Sequence, residues 1–133
     1  MGDRANVYVV DQGNPATGVF FYTHFEGYKL PCIVQHGLKR ADVAGRLGDT
    51  PYLARFIFLE MAGGLSPKSL GISVTYTDGK IFVVDDTARR VGVAKSPFPM
   101  PRPKVWWNYE DFFELVEADC TWSVLEAGPV ARR

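Results

Sequence analysis

A chain of 133 residues, 47 % apolar and 14 % aromatic, has the length of one domain and the composition of a packed globule, which excludes a disordered or fibrous protein. Its 15 basic residues balance its 15 acidic ones, so it lacks the net positive field that drives sequence-independent binding to phosphate backbones, and general nucleic-acid binding is disfavoured. No apolar stretch approaches the roughly 18 to 20 residues that cross a bilayer, and no apolar core follows the opening Met1-Gly2-Asp3-Arg4, so the expected location is the cytoplasm with no membrane span.

Asn6, Val7, Tyr8, Val9 and Val10 predict a strand, closed by the turn formers Asp11, Gly13, Asn14, Pro15 and Gly18; Val19 to Thr23 predict its antiparallel hairpin partner. The period then changes. Ile33, Val34, Gly37, Leu38, Ala41 and Ala44 recur at helical spacing, with Pro31 in the first turn and Gly37 and Gly45 as weak points. Thr50 as cap, Pro51 at the first position and Gly63-Gly64 as stop predict a second helix; between them only Arg55 and Glu60 are charged, so it is expected to be the buried one. Ile72, Val74 and Tyr76 alternate with Ser73 and Thr75 ahead of Asp78-Gly79 and Ile81 to Val84, the pattern of a hairpin on an Asp-Gly turn. A turn at Asp86 to Arg89 and a strand over Val91 to Ala94 extend this to a three-stranded meander.

The order β-β-α-α-β-β-β makes residues 1–133 a single α+β domain: a mostly antiparallel sheet of about five strands with helices packed on one face, plus a short C-terminal helix. Within residues 95–105, Pro97, Pro99, Pro101 and Pro103 hold the backbone extended as a strap. Residues 106–133 form a C-terminal helix and tail: Asn108 caps a helix through Tyr109, Phe112, Phe113, Leu115 and Val116, with Asp111 favoured by the macrodipole, and Cys120 to Leu125 are expected as an edge strand.

The densest polar and aromatic cluster, Tyr22, Thr23, His24, Phe25, Glu26, Gly27 and Tyr28, falls where a strand hands over to a helix. A site there would use His24 to move a proton, Glu26 to orient it or hold a cation, and the Tyr28 hydroxyl. Cys32 and His36, four apart, would share one helix face as a thiolate-imidazole pair; against this, Ile33 and Val34 place Cys32 in an apolar stripe, where structural cysteines are the commoner kind. The catalytic candidates are thus His24, Cys32 and His36, without a second motif to support them. His24, Cys32, His36 and Cys120 lack the spacing of a zinc knuckle, and the usage of two distant cysteines fits free thiols. Asp78, Asp85 and Asp86 lie at turns, where carboxylates ordinarily meet water rather than a cation. No glycine-rich nucleotide cradle and no nucleophile elbow occurs, so neither a cofactor nor a metal is expected.

Recognition is better served. Trp106, Trp107 and Tyr109 follow the strap as an aromatic run of the kind that dominates contact surfaces. Arg89, Arg90, Lys95, Arg102 and Lys104 precede Glu110, Asp111, Glu114, Glu117 and Asp119, a segregation that steers a specific partner at zero net charge. The expected binding residues are Tyr22, His24, Glu26, Tyr28, Arg102, Trp106, Trp107 and Tyr109; the competing use of the two tryptophans is to pack the last helix onto the sheet.

The blocks Met1-Gly2-Asp3-Arg4-Ala5-Asn6-Val7, Tyr22-Thr23-His24-Phe25-Glu26-Gly27-Tyr28-Lys29-Leu30-Pro31, Pro51-Tyr52-Leu53-Ala54-Arg55 and Gly71-Ile72-Ser73 leading to Val83-Val84-Asp85 resemble a group of small uncharacterised bacteriophage and bacterial proteins. In that group the second block typically reads Tyr-x-His-Trp-Asp-Gly-Tyr, and Phe25 and Glu26 stand here in place of the Trp and Asp. The likeness spans about the first ninety residues, short of the strap and tail. It implies a mobile-element origin and supplies no catalytic residues. A non-enzymatic phage protein that binds a host or phage protein, for instance an inhibitor of a host defence complex in the manner of anti-CRISPR proteins, is the expectation; a small Cys/His hydrolase or transferase and a virion or assembly component are the alternatives.

Overall fold

Residues rich in β-branched and aromatic side chains pair as the sequence predicts. Strand β1 (Ala5–Val10) lies antiparallel to β2 (Gly18–Thr23), with Ala5 opposite Thr23 and Val10 opposite Gly18. The computed structural model describes residues 3–12, 14, 16–76, 79–97 and 100–129. After the hairpin come α1 (Leu30–Val43), α2 (Thr50–Gly64), β3 (Leu70–Ser73), β4 (Lys80–Asp85), β5 (Arg90–Ala94), β6 (Trp106–Asn108), α3 (Tyr109–Glu114) and α4 (Trp122–Ala127). The class is α+β, and the sheet is mostly antiparallel, with strand order β3-β2-β1-β4-β5-β6.

The meander does not form. β3 pairs with β2 at one edge, whereas β4 runs parallel to β1 in the middle of the sheet and antiparallel to β5. Burial explains the exchange: Ile81, Phe82, Val83 and Val84 are apolar on both faces and need a central place, while Ile72 alternates with Gly71 and Ser73 and is itself exposed, which suits an edge. Asp78 of the expected Asp-Gly turn, like Gly13, Pro15 and Pro99, lies outside the described residues. A sixth strand, β6, pairs with β5. The expected edge strand over Cys120 to Leu125 is instead the helix α4, because the Thr121 hydroxyl accepts from the Val124 N–H and caps a first turn.

The order of burial of the two long helices is also reversed. α1 buries Leu30, Ile33, Val34, Leu38 and Ala41, and even Gln35, because it packs against both α2 and α3. α2 buries Leu53, Ile57 and Met61 and leaves Tyr52 and Leu59 in water. The two helices touch at Gly37, where an added Cβ would lie 2.9 Å from the Ile57 Cα. Gly37, expected as a weak point of the helix, therefore permits its packing on α2. Gly37→Ala gains about 1 kcal/mol of helix propensity but must force the helix backbones apart, at about 1–3 kcal/mol. The expected outcome in urea unfolding is a net loss near 1 kcal/mol; a stabilised variant would contradict the close approach.

All four helices cover one face of the sheet, where Val7, Val9, Phe82, Val84, Val91 and Trp107 join the main core. On the other face Tyr8, Phe20, Ile81, Val83 and Ala94 form a second cluster, packed with Val10, Tyr76 and Trp106. The strap supports that side: Pro103 is buried over Gly92, where a Cβ would meet the proline ring at 2.6 Å.

Candidate binding surfaces

The loop that follows β2 is fixed at nearly every residue. The Thr23 hydroxyl donates to the Phe25 carbonyl at 2.7 Å, and the His24 N–H to the Ser69 carbonyl at 3.1 Å. Gly27 N–H donates to the Asp3 carbonyl at 2.8 Å, Tyr28 N–H to Asp3 Oδ2 at 2.9 Å, and Trp122 Nε1 to the Gly27 carbonyl at 3.0 Å. Glu26 stands in the left-handed region at φ 61, ψ 31, a conformation that costs a non-glycine residue about 1 kcal/mol or more and persists where its surroundings impose it. Gly27 has no room for a side chain, since a Cβ would lie 2.7 Å from the Asp3 carbonyl oxygen and 2.8 Å from the Ala5 Cβ. Two large rings are displayed on this frame: Phe25 is 48 % exposed and Tyr28 63 %.

Of the four residues expected to form a site here, two meet. Tyr22 Oη and Arg4 Nε each lie 3.2 Å from His24 Nδ1, and the Arg4 donor makes that nitrogen an acceptor, placing the ring proton on Nε2. The Phe25 ring stands edge-on to His24, with centroids 4.5 Å apart. Glu26 does not orient His24; its carboxylate pairs with Lys29. The Tyr28 side chain faces solvent. Arg4 and Phe25 are additions to the expected set. The hairpin register, with Ala5 opposite Thr23, places Arg4 beside His24 and was the signal that could have found it.

Cys32 does not meet His36. Its thiol faces that of Cys120 instead, while His36 projects into solvent one turn on. Burial, with a smaller push from the Glu117 carboxylate, raises the Cys32 thiol above its ordinary value. Burial and the proximity of Cys32 push Cys120 up to about 12. Both sulfurs are therefore neutral thiols at pH 7. His24, Cys32, His36 and Cys120 do not gather, and among the described residues no group of three or more His, Cys, Asp or Glu is arranged to hold a metal ion.

Asp85 and Asp86 do not simply meet water as expected. Asp86 is 2 % exposed and accepts from the Tyr109 hydroxyl at 2.9 Å and from the Gly48 N–H at 2.8 Å. Asp85 accepts from Arg90 Nε at 3.0 Å. The aromatic run is divided by strand alternation. Trp107 is 1 % exposed and donates its indole N–H to the Leu125 carbonyl at 3.0 Å; Tyr109 is buried, stacks on Phe113 and bonds Asp86, so both leave the expected contact surface for the core. Trp106, on the opposite face, is half-buried beneath the Arg90 guanidinium, 3.9 Å from the ring centroid. Arg102 is exposed on the strap.

These features define an α+β protein with a six-stranded mixed sheet, a braced aromatic loop at one end of β2 and a proline strap across the β5 side. No family model, no curated protein and no solved structure matches this chain.

Proposed function

We propose that the chain is a binding protein of phage or mobile-element origin that engages a host or phage protein through the loop following β2, and that inhibition of a host defence complex is its purpose. The observation that carries this reading is the display of Phe25 and Tyr28 in water on backbone held by Thr23, Asp3 and Trp122. Exposed rings cost hydrophobic free energy, and a left-handed Glu26 adds to it. Rings whose backbone is already ordered lose little entropy on contact, which is how rigid aromatic anchors come to dominate an interface. Arg4 and His24 beside them add donors at the rim.

The test is a stoichiometric complex isolated from host lysate with tagged protein, followed by titration of the captured partner with Phe25→Ala/Tyr28→Ala. Both side chains are exposed, so melting should stay close to that of the parent. Affinity should fall by roughly 30-fold or more, as two anchors of about 1 kcal/mol or greater imply. A partner that binds the double variant as tightly as the parent would remove the loop from the interface, and failure to form any complex would remove the reading itself.

A further inference from the structure

A second site lies away from that loop, where the strap leaves β5 and passes α4. It is a cavity of about 590 Å³, within the size range of small-molecule sites. Val93, Met100 and Val105 contribute apolar surface to it, and Lys95, Arg102 and Lys104 supply three cations. Among the described residues none of the three cations forms an ion pair, and Glu126 is the one carboxylate in the lining.

The alternating prolines account for this arrangement. Pro101 and Pro103 turn toward the sheet, so Arg102 and Lys104 turn outward. The walls are braced at two glycines. A Cβ on Gly92 would lie 2.6 Å from Pro103 and 2.7 Å from the Val105 carbonyl oxygen, and one on Gly128, at φ 88, would run into the Val105 side chain. The bond from Trp107 Nε1 to the Leu125 carbonyl ties α4 to β6 on the same side. The cavity therefore exists before any ligand arrives, with cations and apolar surface in one place.

We propose that this cavity binds an amphipathic organic anion: a carboxylate or phosphate head held by Lys95, Arg102 and Lys104, and an apolar body laid along Val93, Met100 and Val105. Charge complementarity selects the head and the desolvated surface selects the body; neither half suffices alone. The site is independent of the aromatic loop and shares no lining residue with it.

Backbone amide shifts of the full chain are to be followed during titration with octanoate, octyl phosphate, neutral octyl glucoside and inorganic phosphate, all below micellar concentrations. The expected result is saturable movement of the Val93, Met100 and Val105 amides with an octyl anion, at roughly tenfold lower concentration than with octyl glucoside or inorganic phosphate. The tighter of the two octyl anions identifies the head group as carboxylate or phosphate, and equal binding identifies a site for either. Arg102→Glu/Lys104→Glu, at exposed positions, should keep the parental melting temperature and weaken binding roughly tenfold, while Lys68→Glu, on the segment before β3, should change nothing. The proposal is overturned if no probe gives saturable shifts at these amides, if octyl glucoside or inorganic phosphate matches the octyl anions, or if the double variant binds like the parent.

Discussion

Asp86→Ala should lower the unfolding free energy by about 3 kcal/mol, with the melting transition shifted down and the urea m-value unchanged. Asp86 closes the turn between β4 and β5, and its carboxylate is also where two distant segments are tied: the Gly48 N–H ahead of α2 and the Tyr109 hydroxyl at the start of α3. Each is a charge-assisted bond worth about 1.5–3 kcal/mol, and relief of the carboxylate's own desolvation offsets part of their loss. Asp86→Asn retains one carbonyl acceptor and should cost about half as much. If alanine costs less than about 1 kcal/mol, these bonds do not hold the segments together. The same pair gives an alkaline signature. Burial, the Asp86 charge and the bond to it hold the Tyr109 hydroxyl far above its ordinary 10.0. A group whose folded value is raised contributes stability that is complete below the unfolded value and is lost as pH climbs past it, so stability should fall above pH 10. Burial raises Tyr8 as well, so Tyr109→Phe should flatten that decline without abolishing it, while costing about 1–2 kcal/mol at neutral pH for the acceptor left unpaired.

Local signals in the sequence proved sound at most places where the structure is local, with α4, capped by Thr121 where an edge strand was expected, as the exception. The β1–β2 hairpin, the prolines in the first turns of α1 and α2 and the Asn108 cap, whose Oδ1 accepts the Asp111 N–H at 2.8 Å, each follow from a few adjacent residues, although Asp49 and not the expected Thr50 stands at the cap position of α2. The parallel β1–β4 pairing was missed because it joins segments separated by two helices, and a tempting Asp-Gly dipeptide offered a shorter route. Four consecutive apolar residues from Ile81 to Val84 were the available hint, since a strand buried on both faces cannot end a sheet. α2 marks the limit of that rule: its many apolar residues predict the more buried of the two helices, but Tyr52 and Leu59 are exposed. The candidate site was half legible. Tyr22 and His24 belong to one cluster, yet Arg4 enters only through the hairpin register, and Trp107 could have been separated from Trp106 only by knowing that the pair lies on a strand. Buried polar residues carry no sequence mark at all. Asp86 resembles any turn carboxylate, and Gln35 any helix surface residue.

Gln35 is for that reason the sharpest test of the fold's internal wiring. It is 3 % exposed, and its Nε2 donates to the carbonyls of Phe112 and Leu115, each at 2.8 Å. Those carbonyls belong to the end of α3, where a helix leaves its last acceptors without intrahelical partners. With six residues α3 is too short to persist alone, so the side chain of α1 acts as its C-terminal cap. Gln35→Leu keeps the volume and removes both donors, stranding the buried Leu115 carbonyl and leaving the Phe112 carbonyl only the Leu115 N–H; the expected cost is about 2 kcal/mol, with faster hydrogen exchange at that Leu115 amide. Gln35→Glu is nearly isosteric but at neutral pH turns a carboxylate toward two carbonyl oxygens, replacing donation with repulsion in a dry site. It should cost more than leucine, at least about 3 kcal/mol, and recover part of that loss when acid protonates the new side chain and restores a donor. A glutamate variant as stable as the leucine one at neutral pH would mean that water, not Gln35, satisfies the end of α3.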